Sequence, residues 1–313
     1  MLVLATLYWG LSFPVIKALT TLNRMHYPDA GSWFVSAQAV APRFIVAVAL
    51  MLLFGGRSGS APTRPEALQG LVIGLFAAAG ALLQTDAMQF TDASTSAFLT
   101  QFSAILVPAW IAMRARRNPG LLVWACCALV LVGVAILGHF NWRTLHLGRG
   151  GWETLLSAVF YTGQILWVGR VGFARSRPRQ VTLVMFAVQA ALFSALAVGT
   201  APGLRALVTP WGSPAWAGLT LVLAVVCTNG AFSIMTRWQP RITSTEAGLI
   251  YCVEPVFASM FALFVPAIIS ALAAIEYPNE KATVSLLIGG GLVTVANVLV
   301  QSRSAPPEPR EVE

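Results

Sequence analysis

Apolar runs of about the length that crosses a bilayer as a helix recur along the chain, parted by short polar breaks. No other feature constrains the fold as much. Backbone in lipid must satisfy its own hydrogen bonds, and a helix does so within one segment. Ten runs are read, at residues 2–22, 32–54, 67–90, 91–113, 119–138, 150–172, 180–200, 214–236, 243–264 and 283–301. Charged residues make up only 10% of the chain and hydrophobic ones 57%, whereas a soluble domain carries about 25% charged residues. The expectation is an all-α membrane protein with ten transmembrane helices. The first run lacks a charged leader and a small-residue cleavage site, so it reads as a retained helix.

The loop charges give the expected orientation. With the N-terminus in the cytoplasm, the inner loops and tail hold Arg57, Arg64, Arg114, Arg116, Arg117, Arg170, Arg175, Arg177, Arg179, Arg237, Arg241, Arg303 and Arg310. The outer loops hold only Arg24, Arg143, Arg149, Arg205 and Lys281. Cytoplasmic loops are enriched in Lys and Arg, so both termini are expected inside a cell (inner) membrane. The stretch 265–282 is too short to cross and return, and reads as interfacial or re-entrant on the outer side. Residues 302–313 read as a disordered cytoplasmic tail.

Several function classes drop out. The net charge of +8 is spread along the chain with no basic face, so no nucleic-acid partner is expected. The four cysteines sit inside apolar runs without metal or disulfide spacing. His26, His139 and His146 fall in outer loops and form no HExxH pair; there is no GxSxG and no Walker motif. No catalytic residue, cofactor or metal is expected.

The two halves resemble each other. Ser94-Thr95-Ser96-Ala97-Phe98-Leu99 parallels Ser244-Thr245-Glu246-Ala247-Gly248-Leu249, and Tyr8-Trp9-Gly10 parallels Tyr161-Thr162-Gly163. With five helices per half, the second copy enters the membrane inverted. The expected units are 1–138 and 150–301. Transporters built this way place their site near the midplane between the repeats.

Trp9, Gly10, Phe13 and Lys17 in the first run, Arg43-Phe44 in the second and Glu254-Pro255 in the ninth resemble EamA-type transporters of the drug/metabolite transporter superfamily. The resemblance extends over nearly the whole chain. It implies alternating-access secondary transport of small organic metabolites, often amino acids or related compounds and commonly by efflux. A lipid or sugar-lipid flippase of the same fold is the alternative.

Charges within spans cost roughly 2.5–3.5 kcal/mol on insertion scales. Arg43 and Glu254 lie mid-span, so each faces a polar cavity, meeting substrate or a coupling proton, or forms a structural ion pair. Lys17 and Asp86 lie nearer the outer ends, where snorkelling competes, and snorkelling or an interfacial role is favoured for Asp86. Trp9, Phe13 and Lys17 share one helix face. Ser12, Gln101, Tyr161, Gln164, Asn229 and Tyr251 complete the substrate-binding or coupling candidates. Pro14, Pro42, Pro108 and Pro255 each remove a helical hydrogen bond and are the candidate kinks. The Gly289-Gly290-Gly291 cluster reads as a site of close helix packing.

Overall fold

The computed structural model describes residues 1–54, 61–114, 121–137, 148–170, 176–242 and 244–302. The expected tail beyond Ser302, and the loop residues His139 and His146, lie outside them. Among the described residues there is no strand, and the chain is a bundle of helices.

Helices α1 (Leu2–His26), α2 (Ser32–Leu53) and α3 (Arg64–Ala87) are long and continuous. Two shorter helices follow, α4 (Ala93–Thr100) and α5 (Ser103–Arg114), broken at Gln101-Phe102. Next come α6 (Leu121–Leu137), α7 (Arg149–Val168) and α8 (Pro178–Thr200). The following span is made of α9 (Pro214–Val222), a π-helical segment at Leu223–Gly230 and α10 (Ala231–Trp238). Then come α11 (Ser244–Tyr251), α12 (Glu254–Ala262), α13 (Val265–Ala273) and α14 (Val284–Ser302).

Six helical stretches are long and apolar enough to cross a membrane: Leu2–His26, Ser32–Leu53, Arg64–Ala87, Ala93–Arg114, Pro178–Thr200 and Pro214–Arg241. The bent pair α12–α13 makes a seventh if it is one span. The chain is thus an integral, multi-pass membrane protein. A helix lies at each of the other expected runs, but α6 and α14 are shorter as apolar helices. α7 has the length and is diluted by Glu153, Thr154, Ser157, Tyr161, Thr162 and Gln164.

The prolines act unequally. α1, α2 and α5 run through Pro14, Pro42 and Pro108 without a break. Pro255 instead sits in the first turn of α12, where a missing N–H costs little because it would have no helical partner anyway.

Helices meet where side chains are absent. A Cβ on Gly133 of α6 would lie 2.8 Å from the carbonyl oxygen of Gly289 in α14. A Cβ on Gly10 of α1 would lie 2.8 Å from Phe257 Cβ and 2.9 Å from the backbone nitrogen of Ala258 in α12. Small residues let helices approach in lipid, where packing and not hydrophobic transfer drives association.

The segment after α12 folds back. α13 turns 50° from α12 and ends at Ala274, a left-handed residue with φ 52°. The Glu280 amide then donates to the Ala262 carbonyl at 2.9 Å. The Glu280 carboxylate accepts from the Ala93 amide at 2.8 Å and also engages Ser94. It thereby satisfies N–H groups that the start of α4 cannot satisfy itself.

Candidate functional site

A cavity lies at the level where α4 gives way to α5 and α11 to α12. It offers about 90 Å³ to the centres of water-sized molecules, room for several waters or a small solute. Trp9 and Ser12 of α1, Arg43 of α2 and Gln101 at the α4–α5 break line it. Tyr161 and Gln164 of α7, Tyr251 of α11 and Glu254 of α12 complete its polar wall.

Several of these groups have no protein partner among the described residues. Arg43 is 6% exposed, its Nε is unpaired, and its guanidinium rests 4.6 Å from the Phe44 ring centre. The Trp9 Nε1–H and the Gln101 Oε1 are also buried without a hydrogen bond. Trp9 packs edge-on against Phe232 and Tyr251, each at 5.3 Å between ring centres. Among the described residues Arg43 and Glu254 form no ion pair, with each other or elsewhere. The structural ion pair weighed for them is therefore absent among the described residues. Glu254 opens α12, and a carboxylate there gains from the positive end of the helix dipole.

The rest of the wall is held by hydrogen bonds between helices. The Tyr161 hydroxyl donates to Gln84 Oε1 at 3.0 Å, and Gln84 Nε2 donates to Thr100 Oγ1 at 2.9 Å. Thr100 in turn donates to the Ser96 carbonyl at 2.8 Å. The Tyr251 hydroxyl donates to Gln239 Oε1 at 2.8 Å, and Gln164 Nε2 lies 3.7 Å from Met235 Sδ. These contacts join α7, α3 and α4 on one side and α11 to the turn after α10 on the other.

Three sequence candidates lie elsewhere. Phe13 packs in an apolar cluster with Ile16, Trp216 and Ala258. Lys17 points to the end of the bundle where α3 gives way to α4; there Nζ donates to the Thr91 carbonyl at 2.8 Å and meets Asp92 at 3.4 Å. It sits beside the stripe of Trp9, Ser12 and Ile16 that lines the cavity, and its amine is held by these partners instead. Asn229 lies in the π-helical segment and lines a separate groove, with its amide donating to the Ala224 carbonyl at 3.1 Å.

Asp86 corrects the expectation of snorkelling. It is fully buried, and accepts from Arg149 Nη2 at 2.5 Å, Ser36 Oγ at 2.9 Å and Gln89 Nε2 at 3.2 Å. The start of α7 covers the end of α3, so a carboxylate near a helix end becomes an interior one. Sequence reasoning missed Thr85, Thr100, Ser103 and Cys227 as cavity residues. Their only signal was position: Thr85 stands beside the polar Gln84, Thr100 beside Gln101, Ser103 two residues after Gln101 and Cys227 two before Asn229.

Residues 1–138 match the family model described as "EamA-like transporter family". No curated protein matches the chain. A solved structure described as "Crystal structure of protein" superposes with a TM-score of 0.57 at 17% identity, covering 95% of this chain and 96% of that one. That likeness shows a shared fold. The match over residues 1–138, on an all-helical membrane fold, is consistent with an EamA-type drug/metabolite transporter.

Proposed function

We propose that the chain is a ten-span secondary transporter, built from inverted repeats 1–138 and 150–301, that moves a small organic metabolite by alternating access. The observation that carries this reading is the central cavity, where Arg43, Glu254, Trp9 and Gln101 present polar groups with no partner among the described residues. Charges inside spans mark substrate or ion pathways, and buried unpaired polar groups call for a partner. An unpaired cation and an unpaired carboxylate on one aromatic-edged cavity suit a zwitterion of amino-acid type.

The packing supports two exchangeable halves. α4 and α11, each of eight residues, both precede a break at the cavity. α1 packs on α12 while α7 packs on α4 and α5; α2 and α8 pair, as do α6 and α14. Broken helices meeting at mid-depth are how such repeats form their sites. The halves are also tied at both ends. Arg149 holds Asp86 at one end of α3; at the other, Arg177 grips Glu66 with Nε and Nη2, both at 2.7 Å. Alternating access then releases one tie at a time. The loop arginines favour both termini in the cytoplasm of the inner membrane, with efflux as the direction.

Flux into proteoliposomes tests the reading, against a panel of amino acids chosen first by thermal stabilisation of the purified protein. Arg43→Gln is expected to abolish flux and Glu254→Gln to remove its pH dependence. Arg43→Gln transporting as the parent does would overturn the cavity as the route. Unchanged pH dependence in Glu254→Gln would remove the proton from the scheme.

A further inference from the structure

A second space lies outside the central cavity, between the end of α2, the start of α8 and the π-helical segment with α10. It is an open groove of about 880 Å³. Leu50 and Phe54 from the end of α2 and Val225 from the π-helical segment give it apolar walls. Its base holds the Thr182 and Thr236 hydroxyls, 2.7 Å apart.

Three arginines edge the groove: Arg179 on the first turn of α8, Arg237 near the end of α10, and Arg241 just beyond it. Arg179 uses one donor on the Met51 carbonyl, at 2.9 Å. Arg237 and Arg241 rest toward the Trp238 ring, at 5.9 and 4.5 Å. Among the described residues none of the three is paired with a carboxylate, and no carboxylate lines the groove. The α8 N-terminus adds the positive end of a helix dipole. Cations gathered without acids beside a spanning helix, next to a Phe54 that is 83% exposed, complement an amphiphile with an anionic head. A soluble anion would leave the apolar wall without purpose.

We infer that this groove binds an anionic phospholipid, its phosphate held by Arg179, Arg237 and Arg241 and an acyl chain laid along Leu50, Phe54 and Val225. Basic pockets between spanning helices recognise anionic headgroups in this way. The site is peripheral and separate from the transported solute, so it stands whatever the central cavity carries.

The test uses the purified full-length protein in a neutral detergent. It is titrated with dioleoylphosphatidylglycerol, dioleoylphosphatidylcholine or inorganic phosphate, with thermal stabilisation and native mass spectrometry as readouts. Phosphatidylglycerol is expected to stabilise saturably and to be retained, and phosphatidylcholine is not. Arg179→Gln, Arg237→Gln and Arg241→Gln together should weaken the phosphatidylglycerol response on the order of a hundredfold, at about fivefold per arginine. If the triple variant does not fold, the double change at the exposed Arg237 and Arg241 should weaken it about 25-fold by the same scale. Equal responses to the two lipids, or a phosphatidylglycerol preference that survives the substitutions, would overturn the site. Stabilisation by inorganic phosphate alone would make it a soluble-anion site and overturn the lipid.

Discussion

Replacing Arg149 by Gln removes the cation that meets Asp86. The carboxylate is fully buried and would keep Ser36 and Gln89 as neutral donors. Breaking one partner from a fully buried ion pair costs about 3–5 kcal/mol. The Arg149 side chain is 48% exposed, so water screens part of the interaction, and two hydrogen bonds survive. The expected loss is therefore about 2–3 kcal/mol, the worth of a charged hydrogen bond left unmade. Asp86→Asn keeps the shape and should cost about 1–2 kcal/mol by losing the charge-assisted bond. Together they should cost less than their sum, with a coupling of about 1–3 kcal/mol, because the neutral amide put there by Asp86→Asn no longer needs the cation. The assay is reversible unfolding in SDS titrations followed by tryptophan fluorescence. Arg205→Gln, on an exposed side chain without a partner among the described residues, serves as control. An Arg149→Gln loss within about 0.5 kcal/mol of that control, or strict additivity in the double variant, would refute the buried pair.

Gly10→Ala should destabilise by about 1–3 kcal/mol, because the added Cβ meets the α12 backbone at 2.9 Å and the two helices must separate. An unchanged melting temperature would show that the crossing is looser than described. Cys227 lines the cavity and is 1% exposed, so it reports opening once Cys126, Cys127 and Cys252 are replaced by Ser. Arg177→Gln should speed its labelling from the Arg177 side, and Arg149→Gln from the opposite side, each about fivefold or more for a tie worth about 1 kcal/mol or above. Equal acceleration from both sides in either variant would sink the two-ended gate.

The membrane class was legible because it depends on sums. Run length and the scarcity of charge follow from the thickness of lipid, not from which helix neighbours which. Mid-span charges were legible for the same reason, since Arg43 and Glu254 are costly wherever the bundle places them. Trp9, Ser12, Tyr161, Gln164 and Tyr251 could be named because polar and aromatic residues stand out in apolar runs, and all five do line the cavity. Phe13 and Lys17 show the limit of that reasoning. The stripe of the first helix that lines the cavity is Trp9, Ser12 and Ile16, whereas steps of four residues drift around the helix and carry Phe13 and Lys17 off it. The local sequence left the first break unmarked, because Gln101-Phe102 is no helix stopper, whereas Pro255 stands just after the second.

The sequence by itself determined that this chain spans a membrane many times, where its long runs begin, and which residues are too polar to sit in them idly. These are properties of a segment measured against its solvent. The tertiary structure alone decided which of those residues meet. Arg43 and Glu254 lie in opposite halves of the sequence and line one cavity without pairing, while Asp86, read as reaching toward water, is sealed beneath Arg149. Contacts between distant segments are fixed by how helices cross, and the crossing depends on glycines and caps acting together, such as Gly10 against Ala258 and Glu280 on the start of α4.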